Sequence, residues 1–217
     1  KLAQPMLNSM IEKISNKAAK LYNDDKDYKG ASENFYLTYR LYPADTTTLY
    51  NAAISASLAK EYDVALGFYN ELKTIGYTGV LTQYLAVNKE TNETENLGGK
   101  GQRDLMVKAG GYINPTDETT ESKQIEIIKN IGYILMNQGK PEEAIIAIKE
   151  ARKSNPKDLN LLLNEADLYV RLEQMDSFGD LMEEAITLDP KNPILFFNLG
   201  VVNQNQKKTD EAVKYYK

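Results

Sequence analysis

The residues that could do chemistry fall at four places in the chain. Gly98-Gly99-Lys100-Gly101 invites comparison with a phosphate-binding loop, but it lacks the G-x-x-x-x-G-K-[ST] spacing that lets backbone N–H groups and a lysine surround phosphates. Asn23, Asp25 and Asp27 alternate like calcium ligands. Position six of such a loop would be Tyr28 rather than glycine, and position twelve would be Asn34 rather than glutamate. Glu142-Glu143 and Glu183-Glu184 are paired carboxylates, yet acid–base work needs such groups convergent in a pocket. Asn92-Glu93-Thr94 fits the glycosylation acceptor pattern. With no His and no Cys, the chain has no Cys/His zinc site, no thiolate nucleophile and no Ser-His pair. A turn, a loop, solvated helix faces and an unmodified Asn92 are the plainer readings, so no catalytic or metal site is expected and no cofactor is implied. An acidic balance, 31 Asp+Glu against 26 Lys+Arg, argues against general affinity for nucleic acid.

The elements that carry these residues repeat. Pro156 and Pro190 stand 34 residues apart, and Asn130, Asn164 and Asn198 keep the same step. Gly132 and Gly200 are two steps apart, as are Ala144 and Ala212. Tyr28 and Tyr62, Ala31 and Ala65, and Phe35 and Tyr69 each show the step in the N-terminal half. Between the halves, Ala65 to Ala144 is 79 residues and Pro43 to Pro156 is 113, two and three periods plus 11 in each case. The apolar positions Ile128, Ile131 and Leu135 follow one helix face. Small residues at Gly132, Ala166 and Gly200 let helix backbones approach closely. Proline at 156 and 190 ends the second helix of a pair.

This pattern resembles the tetratricopeptide repeat (TPR), a 34-residue helix–turn–helix unit with small and aromatic residues at fixed positions. The residues that carry the resemblance include Phe196, Leu199, Gly200, Ala212 and Tyr216 in the last unit, and Ile128, Ile131, Gly132, Ala144, Ile148 and Pro156 two units before it. The implied fold is all-α, a right-handed solenoid of helical pairs with a central non-repeat insert. Residues 1–79 are assigned to an N-terminal helix region and two units, 80–124 to an irregular lengthened unit or insert, and 125–217 to further units, the last truncated. In the insert, Tyr84–Leu97 reads as a small β-hairpin turning near Asn92-Glu93, Arg103–Ala109 as a short helix, Asn114–Asp117 as a turn and Ser122 as a helix N-cap. The fifth unit carries Phe178 where a small residue is usual, from which an altered helix crossing is expected.

A looser likeness to exported TPR proteins of Bacteroidetes implies a periplasmic address. The chain opens on Lys1 without an initiator Met, Lys1–Leu7 is too short and polar for a signal peptide, and a parent protein is expected to continue past Lys217. No stretch approaches the roughly 20 apolar residues that span a bilayer.

In the TPR family the first helices of the pairs line a groove. Residue-by-residue transfer places Tyr50, Asn51, Lys129, Asn130, Tyr133, Asn164, Asp167, Phe197, Asn198 and Val201 in it. A carboxamide both donates and accepts, so the ladder Asn51, Asn130, Asn164, Asn198 suits a peptide main chain; Tyr50, Tyr133 and Phe197 would supply apolar anchors. The resemblance also includes proteins that clamp a free C-terminal carboxylate. Lys129 and Asn164 match two clamp positions, but the basic pair falls on Ile194 and Asn198, so a carboxylate would go unpaired. The expectation is a non-catalytic scaffold that binds an unidentified protein or peptide, with no nucleic acid and no membrane span. The alternative is a periplasmic glycan- or small-ligand-binding receptor component, which the absence of Trp disfavours.

Overall fold

The computed structural model describes residues 3–217. In chain order the elements are α1 (Ala3–Asn23), α2 (Tyr28–Leu41), α3 (Thr46–Leu58), α4 (Tyr62–Thr74), β1 (Thr82–Asn88), β2 (Thr94–Asn96), α5 (Lys100–Lys108), β3 (Tyr112–Thr119), α6 (Gln124–Asn137), α7 (Pro141–Ser154), α8 (Leu159–Arg171), α9 (Met175–Leu188), α10 (Pro193–Asn205) and α11 (Thr209–Tyr216). They form two compact units. One comprises the chain up to Lys73 together with Ile125–Lys217, and the other is Thr74–Gln124.

In the larger unit, α1–α4 and α6–α11 make five antiparallel pairs among the described residues. Local chemistry sets the pair boundaries. Asp45, Asp158 and Asn192 cap α3, α8 and α10, each side chain accepting a backbone N–H of the first turn at 3.1 Å. Within each pair the chain reverses through one left-handed residue: Lys26, Lys60, Gly139, Glu173 and Lys207, with φ between 54° and 70°. In the last four of these turns the N–H after it returns to a carbonyl five residues back, as in Glu61 to Ala56, Lys140 to Leu135 and Gln174 to Tyr169, which satisfies an otherwise orphaned helix end. Only Gly139 adopts this conformation without a Cβ penalty. Glu173→Gly is therefore expected to raise the unfolding free energy by about 1 kcal/mol, with Glu173→Ala giving no gain; urea denaturation of the two variants checks this.

Small residues seat the neighbouring helix. A Cβ on Gly200 would fall 2.3 Å from the Tyr216 ring, and one on Gly132 would meet Ile148 at 3.4 Å. In the fifth unit as counted from sequence, Phe178 packs half-buried against the cluster of Leu162, Met182, Leu195 and Leu199. Gly179 beside it takes the close approach instead, its missing Cβ lying 3.3 Å from Val202.

Helix α6 lies directly against α4. The Nδ2 of Asn130 donates to the hydroxyl of fully buried Tyr69 at 3.0 Å, and Nε2 of Gln138 donates to Asp63 at 2.8 Å. The second and third helical pairs are thus consecutive in the stack. The 79-residue step from Ala65 to Ala144 is one period plus 45, which is numerically the same as two periods plus 11.

The smaller unit holds a three-stranded antiparallel sheet in the order β2-β1-β3, with α5. β1 and β2 form the hairpin, pairing Leu85 with Asn96, Ala86 with Glu95 and Val87 with Thr94. The turn expected at Asn114–Asp117 is instead part of β3, which pairs with β1 from Thr82↔Thr119 to Asn88↔Tyr112. A register shift between Leu85 and Val87, with Asn114 at φ 50°, accommodates Pro115 on this edge strand. The core of the unit contains a buried cation. Arg103 donates to the Thr116 carbonyl at 3.0 Å, pairs with Asp117 and Asp104, and lies 5.6 Å from the centre of the Tyr84 ring.

Candidate functional site

None of the motifs set aside in the sequence assembles into a reactive site. The Asp27 carboxylate caps α2 by accepting the Gly30 N–H at 2.9 Å. The short strand β2 precedes Gly98-Gly99, and Gly99 is the residue before α5; the loop leads into that helix. Glu142 and Glu143 occupy the exposed first turn of α7, where the helix dipole favours negative charge. No group of three or more Asp and Glu among the described residues could hold a metal ion.

The face presented by the first helices is more informative. Lys129, Tyr133, Asn164 and Asp167 line one depression between α6 and α8, with Gly132, Met136 and Arg171. The Tyr133 ring is 47% exposed there. The Asp167 carboxylate accepts from Arg171 Nε at 2.8 Å, so these two charges neutralise each other. Phe197 on α10 is 59% exposed, with its ring centre 5.9 Å from that of Tyr216, while Asn198 and Val201 beside it are half-buried. Val170 and Ile194 add apolar surface to the same helices.

Two members of the expected set have other duties. Tyr50 is buried at 6% exposure within a helix that also buries Leu49, Ala52, Ala53 and Ala56, so its ring offers no open surface. Asn130 is committed to Tyr69, whose hydroxyl is pushed above the usual phenol range by burial, with hydrogen bonds from Ser57 and Asn130 opposing that shift. The remaining carboxamides are uncommitted. The side chains of Asn51, Asn164 and Asn198 make no hydrogen bond among the described residues. Asn51 lies at a second depression, between α1 and α3, with Tyr22, Phe35 and Ile54.

One polar feature went unseen in the sequence. Glu165 stands at the repeat position where leucine is usual, and it is 2% exposed. Arg152 on α7 bridges it to Glu184 on α9, and Lys149 approaches it at 3.8 Å. Burial weakens the Arg152 charge, but the hydrogen bonds to Glu165 and Glu184 outweigh it and hold the guanidinium protonated. The only sequence signal was a charged residue inside an otherwise apolar 3–4 pattern.

Two family models, both described as tetratricopeptide repeat, match residues 130–193 and 181–214. Residues 130–214 are tetratricopeptide repeats. The Hsp70-Hsp90 organizing protein of Triticum aestivum is 28% identical over 163 residues, which cover 74% of this chain and 24% of that protein. The chain therefore spans about a quarter of the length of that relative. Among solved structures, MamA from Desulfovibrio magneticus RS-1 superposes with a TM-score of 0.54 at 13% identity, covering 95% of this chain and 90% of that one. PilF of Pseudomonas aeruginosa gives 0.51 at 11%, covering 97% and 75%. At these identities the two structures establish a shared fold and nothing further. No helix among the described residues is long and apolar enough to cross a membrane.

Proposed function

We propose that this TPR protein is a non-catalytic protein–protein interaction scaffold that holds a peptide segment of a partner against α6, α8 and α10. The observation that carries the reading is the gathering of Lys129, Tyr133, Asn164 and Asp167 into one depression, next to exposed Phe197 and the uncommitted carboxamide of Asn198. Aromatic rings supply area with little entropy to lose, and free amides pair with a main chain running in either direction. The TPR fold and the similarity to an Hsp70-Hsp90 organizing protein support the scaffold role.

The test is capture of a partner on immobilised protein, followed by binding measurements with Asn164→Ala and Phe197→Ala. Loss of a central anchor typically costs 2 kcal/mol or more, so the double variant is expected to bind at least about 30-fold more weakly. A partner held equally well by the double variant would move the binding surface elsewhere.

A further inference from the structure

The charge pattern of the first-helix face defines the chemistry of its occupant. Helices α3 and α10 contain no Asp, Glu, Lys or Arg along their whole length. On α8, Asp167 and Arg171 cancel each other. On α6, Glu126 is half-buried and has a partner of its own, while Lys129 is exposed and makes no ion pair among the described residues. On α3, α6, α8 and α10, Lys129 is the one cation with no ion pair among the described residues, and around it these helices offer apolar groups (Tyr133, Val170, Ile194, Phe197) and free carboxamides (Asn51, Asn164, Asn198).

The place of Lys129 in the stack bears on how an occupant can present a carboxylate to it. Helix α6 has α3 and α4 on one side and α8 and α10 on the other, with depressions at α1–α3 and at α6–α8. A chain terminus ending at Lys129 would leave one side of the face unoccupied. A segment that fills both sides must pass the cation with its backbone unbroken, and only a side chain can then bring a carboxylate there.

We propose that the occupant is an internal stretch of a partner chain, apolar and uncharged except for a single acidic side chain set opposite Lys129. This rests on the groove reading above and adds the chemistry of the segment. An exposed ion pair is worth up to about 1 kcal/mol, or about fivefold in affinity. The aromatic anchors and amides therefore carry most of the binding, and its salt dependence is shallow.

The probe is a library of random 12-residue peptides displayed between fixed flanking sequences, so that no member has a free carboxyl end, selected on the full chain. Enriched sequences are then synthesised acetylated and amidated, as free acids, and with the acidic residue changed to its amide. The expected result has three parts. Enriched peptides carry one Asp or Glu among apolar and amide residues. Blocked and free-acid forms bind within about twofold. Changing the acid to its amide weakens binding about fivefold to the natural protein and not at all to Lys129→Met. Preference for the free acid, enrichment of multiply charged peptides, or equal sensitivity in Lys129→Met would overturn the proposal while leaving the groove in place. A selection with no binder sensitive to Asn164→Ala plus Phe197→Ala would instead remove the groove reading itself.

Discussion

Arg152→Met is expected to lower the unfolding free energy by about 3–5 kcal/mol, because it strands the Glu165 carboxylate inside the repeat interface. That side chain is 2% exposed, and its other cation, Lys149, is 3.8 Å away on a half-exposed side chain. Removing the anion should act in the opposite sense. Glu165→Leu restores the residue type usual at that repeat position and leaves Arg152 its bond to Glu184, so the change is expected to be neutral or stabilising by about 1–4 kcal/mol. Urea denaturation followed by helical circular dichroism reads both. If Arg152→Met were as stable as the natural protein, the ion network would be solvated and would contribute nothing to holding α7, α8 and α9 together.

Tyr69→Ala should cost about as much, about 3–5 kcal/mol, since it empties a fully buried site between α4 and α6. Its position gives the loss a second signature. Repeats in a solenoid contact only their neighbours, so weakening one interface uncouples the pairs on either side. The variant is expected to unfold in two steps, with α1–α4 separating from α6–α11 in hydrogen-exchange protection. Tyr69→Phe, which keeps the ring and removes the hydroxyl that Asn130 and Ser57 engage, should cost about 1–2 kcal/mol and keep one transition. A single transition at the natural midpoint for Tyr69→Ala would show that α4 and α6 are not coupled through this residue.

The helical pairs were readable because prolines, asparagines and small crossing residues recur with the same step. What lay between the second and third pairs was ambiguous, because a period of 34 cannot distinguish an excess of 11 from one of 45. Pro115 read as a turn because proline removes a strand hydrogen bond. A register shift on an edge strand is the one setting where that loss is tolerated. In the groove, spacing located Asn130, Asn164 and Asn198 on one face but could not reveal that Tyr69, from the preceding pair, reaches only the first of them. Tyr50 and Tyr133 both fall on the groove side of a first helix by repeat spacing, yet one is buried and the other open, because burial depends on neighbouring helices rather than on the residue's own unit. The Arg152–Glu165–Glu184 network was invisible for a related reason: its members occupy unrelated positions in their units and meet only in the fold.

The excursion between α4 and α6 also bears on how such a chain can change over time. The other junctions between pairs use four residues, 42–45, 155–158 and 189–192, whereas this one uses the 49 residues from 75 to 123. Lengthening a flexible loop by that factor costs only about 2 kcal/mol in closure entropy. Here even that is reduced, because the two strands of its neck are tied by hydrogen bonds from Lys123 N to the Thr78 carbonyl at 2.6 Å and from Thr120 N to the Leu81 carbonyl at 2.9 Å. Sequence beyond the neck can be exchanged, lengthened or trimmed with little effect on the helical stack. The stack and its guest module are therefore free to evolve at different rates, with selection acting on each for its own reasons.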